Sequence, residues 1–158
     1  MPGRRPAEGA DIAEPLRLPR DVLDALLEHA RASPRKEVCG LVARDANDRW
    51  QHYPVDNVAH RPDIAFEMDP RQQIDAFRRM RERGERLLAI YHSHPGSPAR
   101  PSARDLAAHG YPEALCLIVS LAGGGARACA WRIAAGGAVP VPLEVSDASR
   151  TGAPGSRR

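Results

Sequence analysis

His92 and His94 stand one residue apart, and that spacing is enough to suggest a chemistry. On an extended segment side chains alternate with period two, so both imidazoles project from the same side of the strand and form a two-point clamp for a metal. The preceding run, Leu87-Leu88-Ala89-Ile90-Tyr91, is apolar and reads as a buried strand that delivers the pair at its C-terminal end. Pro95 stops that strand. A helix is expected to begin at Ser102, which puts Asp105 in its first turn, where a carboxylate is electrostatically favoured and can turn back toward the strand end. Two imidazoles and one carboxylate leave a fourth tetrahedral position open, the arrangement of a catalytic zinc and not a structural one.

Each piece has a plainer reading. Ser102 and Asp105 fit a helix capping box, and His92 and His94 fit an ordinary surface pair. The capping and metal readings are compatible, since Ser102 can start the helix while Asp105 faces the metal. The joint pattern His-Ser-His-Pro, six residues, Ser, two residues, Asp is long and specific. It resembles the signature of the JAMM (MPN-plus) metalloproteases, zinc peptidases that act on ubiquitin and ubiquitin-like proteins. The resemblance extends to Glu37 in Lys36-Glu37-Val38-Cys39-Gly40-Leu41-Val42, where that family places a glutamate, and it runs over residues 16–143. Structural members of the superfamily lack the metal ligands, whereas this chain keeps every motif position, so the resemblance implies an active enzyme.

The resemblance also implies roles. His92, His94 and Asp105 would hold Zn2+, and Glu37 would be the general base that takes a proton from water and passes it to the departing amine. Ser102 would donate to the oxyanion, its other reading being the helix cap. Glu37 taken alone would be an ordinary glutamate at a strand start. Ser93 and Tyr91 should point to the face opposite the imidazoles, and Phe66 lines either the substrate groove or the core. The implied fold is α/β, a single-domain curved mixed β-sheet flanked by helices, cytidine-deaminase-like. In the family an extended tail adds as a strand to an exposed sheet edge. A chain this compact has no room for the insertions that grip two ubiquitins, so the implied substrate is a ubiquitin-like sulfur-carrier protein, trimmed after its C-terminal Gly-Gly. The competing non-enzymatic reading is an MPN-type scaffold whose site holds no zinc. Zinc deaminases need His-x-Glu and Pro-Cys-x-x-Cys, and helical zinc proteases need His-Glu-x-x-His; neither pattern occurs.

At 158 residues and 17.2 kDa the chain is expected to form one domain, residues 16–145, with enough length to bury a core. Residues 1–15 and 146–158 are rich in Pro, Gly, Ala, Ser and charge without apolar periodicity, and read as disordered tails. No apolar h-region and no bilayer-length apolar run is present, so the expected location is the cytoplasm, without a membrane partner. Cys39, Cys116 and Cys129 form no Cys-x-x-Cys pair and are expected to be buried reduced thiols; Cys39 would share the strand face of Glu37. The net charge of +3 is carried by scattered arginines balanced by 20 acids. The cluster Arg78, Arg79, Arg81, Arg83 and Arg86 reads as the solvated face of a helix, so a nucleic-acid partner is not expected, although a basic surface suits an acidic protein.

The remaining elements serve to hold this site. Val22, Leu23, Leu26, Leu27 and Ala30 recur at helical spacing within residues 19–31. Residues 38–44 and 49–54 read as a hairpin that Glu37 opens, and residues 64–68 as a short strand. Asp69 caps a helix over residues 70–83 that Gly84 ends. Residues 87–92 form the metal-bearing strand and residues 114–121 a central one. After the Gly123-Gly124-Gly125 turn, residues 127–133 and 139–145 form two more strands, the last an edge because of Pro140 and Pro142.

Overall fold

The computed structural model describes residues 14–135 and 137–147. Most of the two expected tails, residues 1–13 and 148–158, lies outside the described residues. The elements run β1 (Leu16–Pro19), α1 (Arg20–Ala32), β2 (Cys39–Asp45), β3 (Trp50–Val55), α2 (Pro70–Glu82), β4 (Glu85–His94), α3 (Ala103–Ala108), β5 (Leu115–Ser120), β6 (Arg127–Ala134), β7 (Gly137–Val141) and β8 (Leu143–Ser146). Among the described residues, β3-β2-β4-β5-β6-β7 form one mixed sheet and β1-β8 a second, two-stranded one. No helix among them is long and apolar enough to cross a membrane.

Alternation along β4 divides the molecule into layers. Ala89 and Tyr91 face the cluster that α1 closes with Val22, Leu26 and Ala30, while Ile90 faces the cluster that α2 closes with Ala76 and Met80. His92 and His94 continue the Ile90 face, so they project toward the α2 side. β4 is parallel to β5, with Tyr91 opposite Leu117 and His92 opposite Ile118. A parallel pair needs a crossover connection, and here it carries α3, so the chain leaves the sheet at His94 and returns through Asp105. β5 is buried at all six positions, as its unbroken apolar run requires.

α2 begins as expected: Asp69 accepts from the amides of Arg71 and Gln72, and Pro70 occupies the first helical position. Gly84 takes the left-handed conformation (φ 66°) that ends it. Arg86 lies beyond that helix, on β4, and Arg78 and Arg79 both pair with Asp75.

Several expectations are corrected. Residues 64–68 are not a strand: only Met68 pairs, in a single bridge with Asn57. Their backbone is held by the Arg61 carbonyl, which accepts from the Ile64 and Ala65 amides, by the Val58 amide, which donates to the Glu67 carbonyl, and by the Asn57 side chain. The expected C-terminal strand is two, β7 and β8, broken at Pro142, which has no amide to continue a ladder. β8 extends to Ser146 and pairs in parallel with β1, a strand not anticipated because its four residues reveal no period before the partner arrives. Glu37 precedes β2 by two residues and does not open it. β4 is longer than expected, and His94 is its last residue.

Gly40 shows how tightly the sheet is packed beneath the site. A Cβ here would lie 2.5 Å from the Tyr53 carbonyl oxygen and 2.5 Å from the Tyr91 ring, and the carbonyl belongs to a paired strand that cannot shift freely. Gly40→Ala is therefore expected to cost about 1–3 kcal/mol as an overpacked core position. Urea unfolding measures it, and an unchanged midpoint would contradict the contact.

Candidate metal centre

His92 and His94 are 1 % and 5 % exposed, too deep for an ordinary surface pair. His94 Nδ1 donates to the Pro98 carbonyl at 2.8 Å, which in the neutral ring leaves the Nε2 lone pair facing inward. Asp105 arrives from the first turn of α3. Its Oδ2 lies 3.2 Å from His92 Nε2 and 3.1 Å from His94 Nε2, while the two Nε2 atoms are 3.1 Å apart. The same Oδ2 accepts from the Ser102 amide at 2.9 Å, and Ser102 Oγ accepts from the Asp105 amide at 3.1 Å. The capping box and the convergence on the histidines are thus made by the same two residues.

Glu37 reaches the group from the segment before β2. Its amide donates to the Pro62 carbonyl, its carbonyl accepts from Asn57, and the next amide, of Val38, donates to Ser93 Oγ at 2.8 Å. Ser93 accordingly faces away from the imidazoles and anchors the Glu37 segment. One donor atom from each of Glu37, His92, His94 and Asp105 lies within 4.8 Å of the others. Burial pushes the Glu37 carboxyl up to about 7, against the pull of His94. Burial likewise lowers His92. It opposes the charge on Asp105 as well, yet the His92 and His94 side chains beside it and the Ser102 amide hold that carboxyl well below the usual range. His94 is also disfavoured as a cation by burial, but Asp105 and the Pro98 carbonyl raise it.

These residues fit a tetrahedral divalent cation. Donors bound at about 2.0–2.1 Å in tetrahedral geometry stand about 3.3 Å from one another, close to the 3.1–3.2 Å edges of the His92, His94 and Asp105 triangle. Glu37 Oε1 and His92 Nδ1 are buried without a hydrogen-bond partner among the described residues, and the former belongs to a carboxylate aimed at the cluster. Such orphaned polar atoms cost stability unless something pairs with them.

A cleft of about 360 Å³ opens onto His92 and Asp105 and is lined further by Phe66, Met68, Gln73 and Tyr111. Phe66 answers both of its sequence readings: it packs on the α2-side core and stacks on the His92 ring, centroids 4.5 Å apart and planes 23° apart. Cys39 pairs across the sheet with His92, but its thiol donates to the Val55 carbonyl and burial pushes it up to about 12. All three cysteines are unpaired, with Cys129 only partly buried. Sequence reasoning missed Pro98, which fixes His94 through a main-chain oxygen, and Asn57, whose contacts are all non-local or within a loop.

With this geometry in view, the comparisons are specific. The family model of prokaryotic homologs of the JAB domain matches residues 19–134. Haloferax volcanii desampylase is 37% identical over 111 residues, 66% of this chain and 80% of that protein. The CysO-cysteine peptidase of Mycobacterium tuberculosis is 32% identical over 102 residues, 63% of this chain and 69% of the relative. A Desulfitobacterium hafniense protein of known solution structure superposes with a TM-score of 0.72 at 34% identity, covering 84% of this chain and 93% of that one. The chain belongs to the prokaryotic JAB-domain family, as a compact member of the JAMM/MPN proteins.

One divalent cation per chain is expected to bind, and the double variant His92→Ala, His94→Ala is expected to bind none at this site. Metal analysis after gel filtration measures it; near-stoichiometric metal in the double variant would contradict the assignment.

Proposed function

We propose that the chain is a zinc peptidase that hydrolyses the peptide or isopeptide bond after the C-terminal Gly-Gly of a ubiquitin-like protein, and that it trims a sulfur carrier in this way. The triangle of His92 Nε2, His94 Nε2 and Asp105 Oδ2, with the Glu37 carboxylate beside it, carries the reading. Kinship with a CysO-cysteine peptidase and a desampylase supports the substrate class. Three unpaired thiols support a reducing, cytoplasmic setting.

His92, His94 and Asp105 would hold the zinc, which when bound polarises a carbonyl and makes water acidic enough to act as a nucleophile near neutral pH. Glu37, buried at 5 % exposure and with one oxygen unpartnered, takes the proton from the attacking water. As the carbon–nitrogen bond breaks, Glu37 returns that proton to the departing amine, and the carboxyl side leaves as a glycine carboxylic acid whose remaining proton is lost to solvent at neutral pH to give the carboxylate. Ser102 Oγ already accepts from the Asp105 amide, which leaves its hydroxyl hydrogen to donate to the charge growing on the carbonyl oxygen. The cleft past Phe66, Met68 and Tyr111 receives the extended tail.

Glu37→Gln is expected to retain metal and fold while losing most turnover; hydrolysis near the wild-type rate with metal unchanged would remove Glu37 as the base. Ser102→Ala should lower kcat by about 10²–10³ if the hydroxyl serves the oxyanion. If only the cap matters, it should cost about 0.5–2 kcal/mol of stability and leave kcat intact. Mass spectrometry of ubiquitin-like carriers extended beyond Gly-Gly tests the substrate. Cleavage directly after Gly-Gly by wild type and not by Glu37→Gln is expected, whereas cleavage of unrelated peptides alone would indicate a general peptidase.

A further inference from the structure

We infer that Asn57 is a positioning residue that holds the Glu37 segment and the His92 imidazole in register through one side-chain amide. An asparagine amide offers two donor hydrogens and two acceptor lone pairs. Asn57 uses all four. Its Nδ2 donates to the carbonyls of Glu37 and Ala65, both at 2.9 Å, and its Oδ1 accepts from the amides of Ala59 and Glu67, both at 3.0 Å. The bonds to Ala65 and Glu67 bracket Phe66, the residue whose ring lies against His92. One side chain therefore grips the backbone that carries the buried carboxylate and the backbone that carries the aromatic face.

The two imidazoles are oriented by different means. His94 is fixed by a hydrogen bond from Nδ1 to Pro98, whereas His92 Nδ1 has no such partner among the described residues. Phe66 stacks its aromatic face on the His92 ring, and the stretch that carries it is tied to the 56–58 segment by the Asn57–Met68 bridge and by the Val58 amide, which donates to the Glu67 carbonyl. The Asn57 side chain adds the bonds immediately on either side of Phe66. An aspartate at position 57 would keep both acceptor bonds but set an anionic oxygen against the Glu37 and Ala65 carbonyls.

The inference rests on the reading of His92 as a ligand, so the experiment is built on zinc and cobalt binding and not on turnover. Zinc affinity is measured by competition with a chromophoric chelator, and ligand geometry by the visible bands of the cobalt-loaded protein, for wild type, Asn57→Asp, Asn57→Ala, Phe66→Leu and Asn57→Ala combined with Phe66→Leu. All are assayed below their melting temperatures. The Asn57 variants and Phe66→Leu are expected to bind zinc about 10–100-fold more weakly with altered cobalt bands. The combined variant should bind no more weakly than Phe66→Leu, because both changes release the same ring. Amide hydrogen exchange at Glu37 should quicken in Asn57→Asp but not in Phe66→Leu. Earlier melting with unchanged zinc affinity and unchanged cobalt bands would reduce Asn57 to a loop staple and overturn the proposal, as would losses that multiply in the combined variant. A wild-type protein that binds no zinc would overturn the reading of the site itself, and this inference with it.

Discussion

Two imidazole nitrogens and a carboxylate oxygen from side chains up to 13 residues apart meet within 3.2 Å of one another in a buried place, and the rest of the structure serves to hold them there. Packing alone does not do so, because side chains with free torsions would swing apart. The fold removes the freedom one torsion at a time. β4 presents His92 and His94 from adjacent positions of one face, the Pro98 carbonyl fixes the His94 ring, and the capping box fixes Asp105 through the Ser102 amide. The capping interaction and the position of Asp105 against the imidazoles are a single constraint, since the oxygen that closes the cap is also the oxygen that faces both rings.

The opposite face of β4 supports the same geometry from beneath. Tyr91 lies between the α1-side core and Gly40, its hydroxyl bonded to His29 at 2.9 Å, and Ser93 ties the Glu37 segment to the strand that carries the histidines. The carboxylate beside the triangle thus inherits its position from the strand that carries the histidines, although it lies 55 residues upstream of His92. Regular structure places the imidazoles, and irregular backbone places Glu37 and Phe66. That division is common in functional sites, where loops supply the groups and a rigid sheet supplies the frame.

Features that depend on near neighbours were legible in the sequence. The same-side histidines follow from strand alternation, the two helices from their apolar spacing and from Asp69 and Gly84, and Asp105 from its distance to Ser102. What could not be read there depends on partners far along the chain. β1 is four residues whose identity as a strand exists only once residues 143–146 lie beside it, and the alternation of residues 139–145 concealed the break at Pro142. Residues 64–68 have strand-like composition, yet the Asn57 side chain and the Arg61 and Val58 main chain take up their hydrogen bonds in place of a ladder. Glu37 was found only because a family pattern pointed to it. By residue type alone it is one of many acids on the chain, and its burial depends on the 57–67 loop, whose Pro62 carbonyl and Asn57 side chain bond its backbone.

The clasp between β1 and β8 has a consequence for how the protein is made. Its register joins Leu16 to Leu143, and the ion pairs Arg17–Glu144 and Arg20–Asp147 span the same 127-residue separation. Bringing such distant residues together carries a loop-closure cost that the intervening sheet must already have reduced. On a ribosome the first strand emerges long before its partner exists, so α1 can dock on the sheet while the strand leading into it still lacks a neighbour. The two-stranded clasp cannot close before residues 143–146 have been made, and until then Leu16–Pro19 lack the strand that pairs with them, which leaves their backbone open to pairing with another chain.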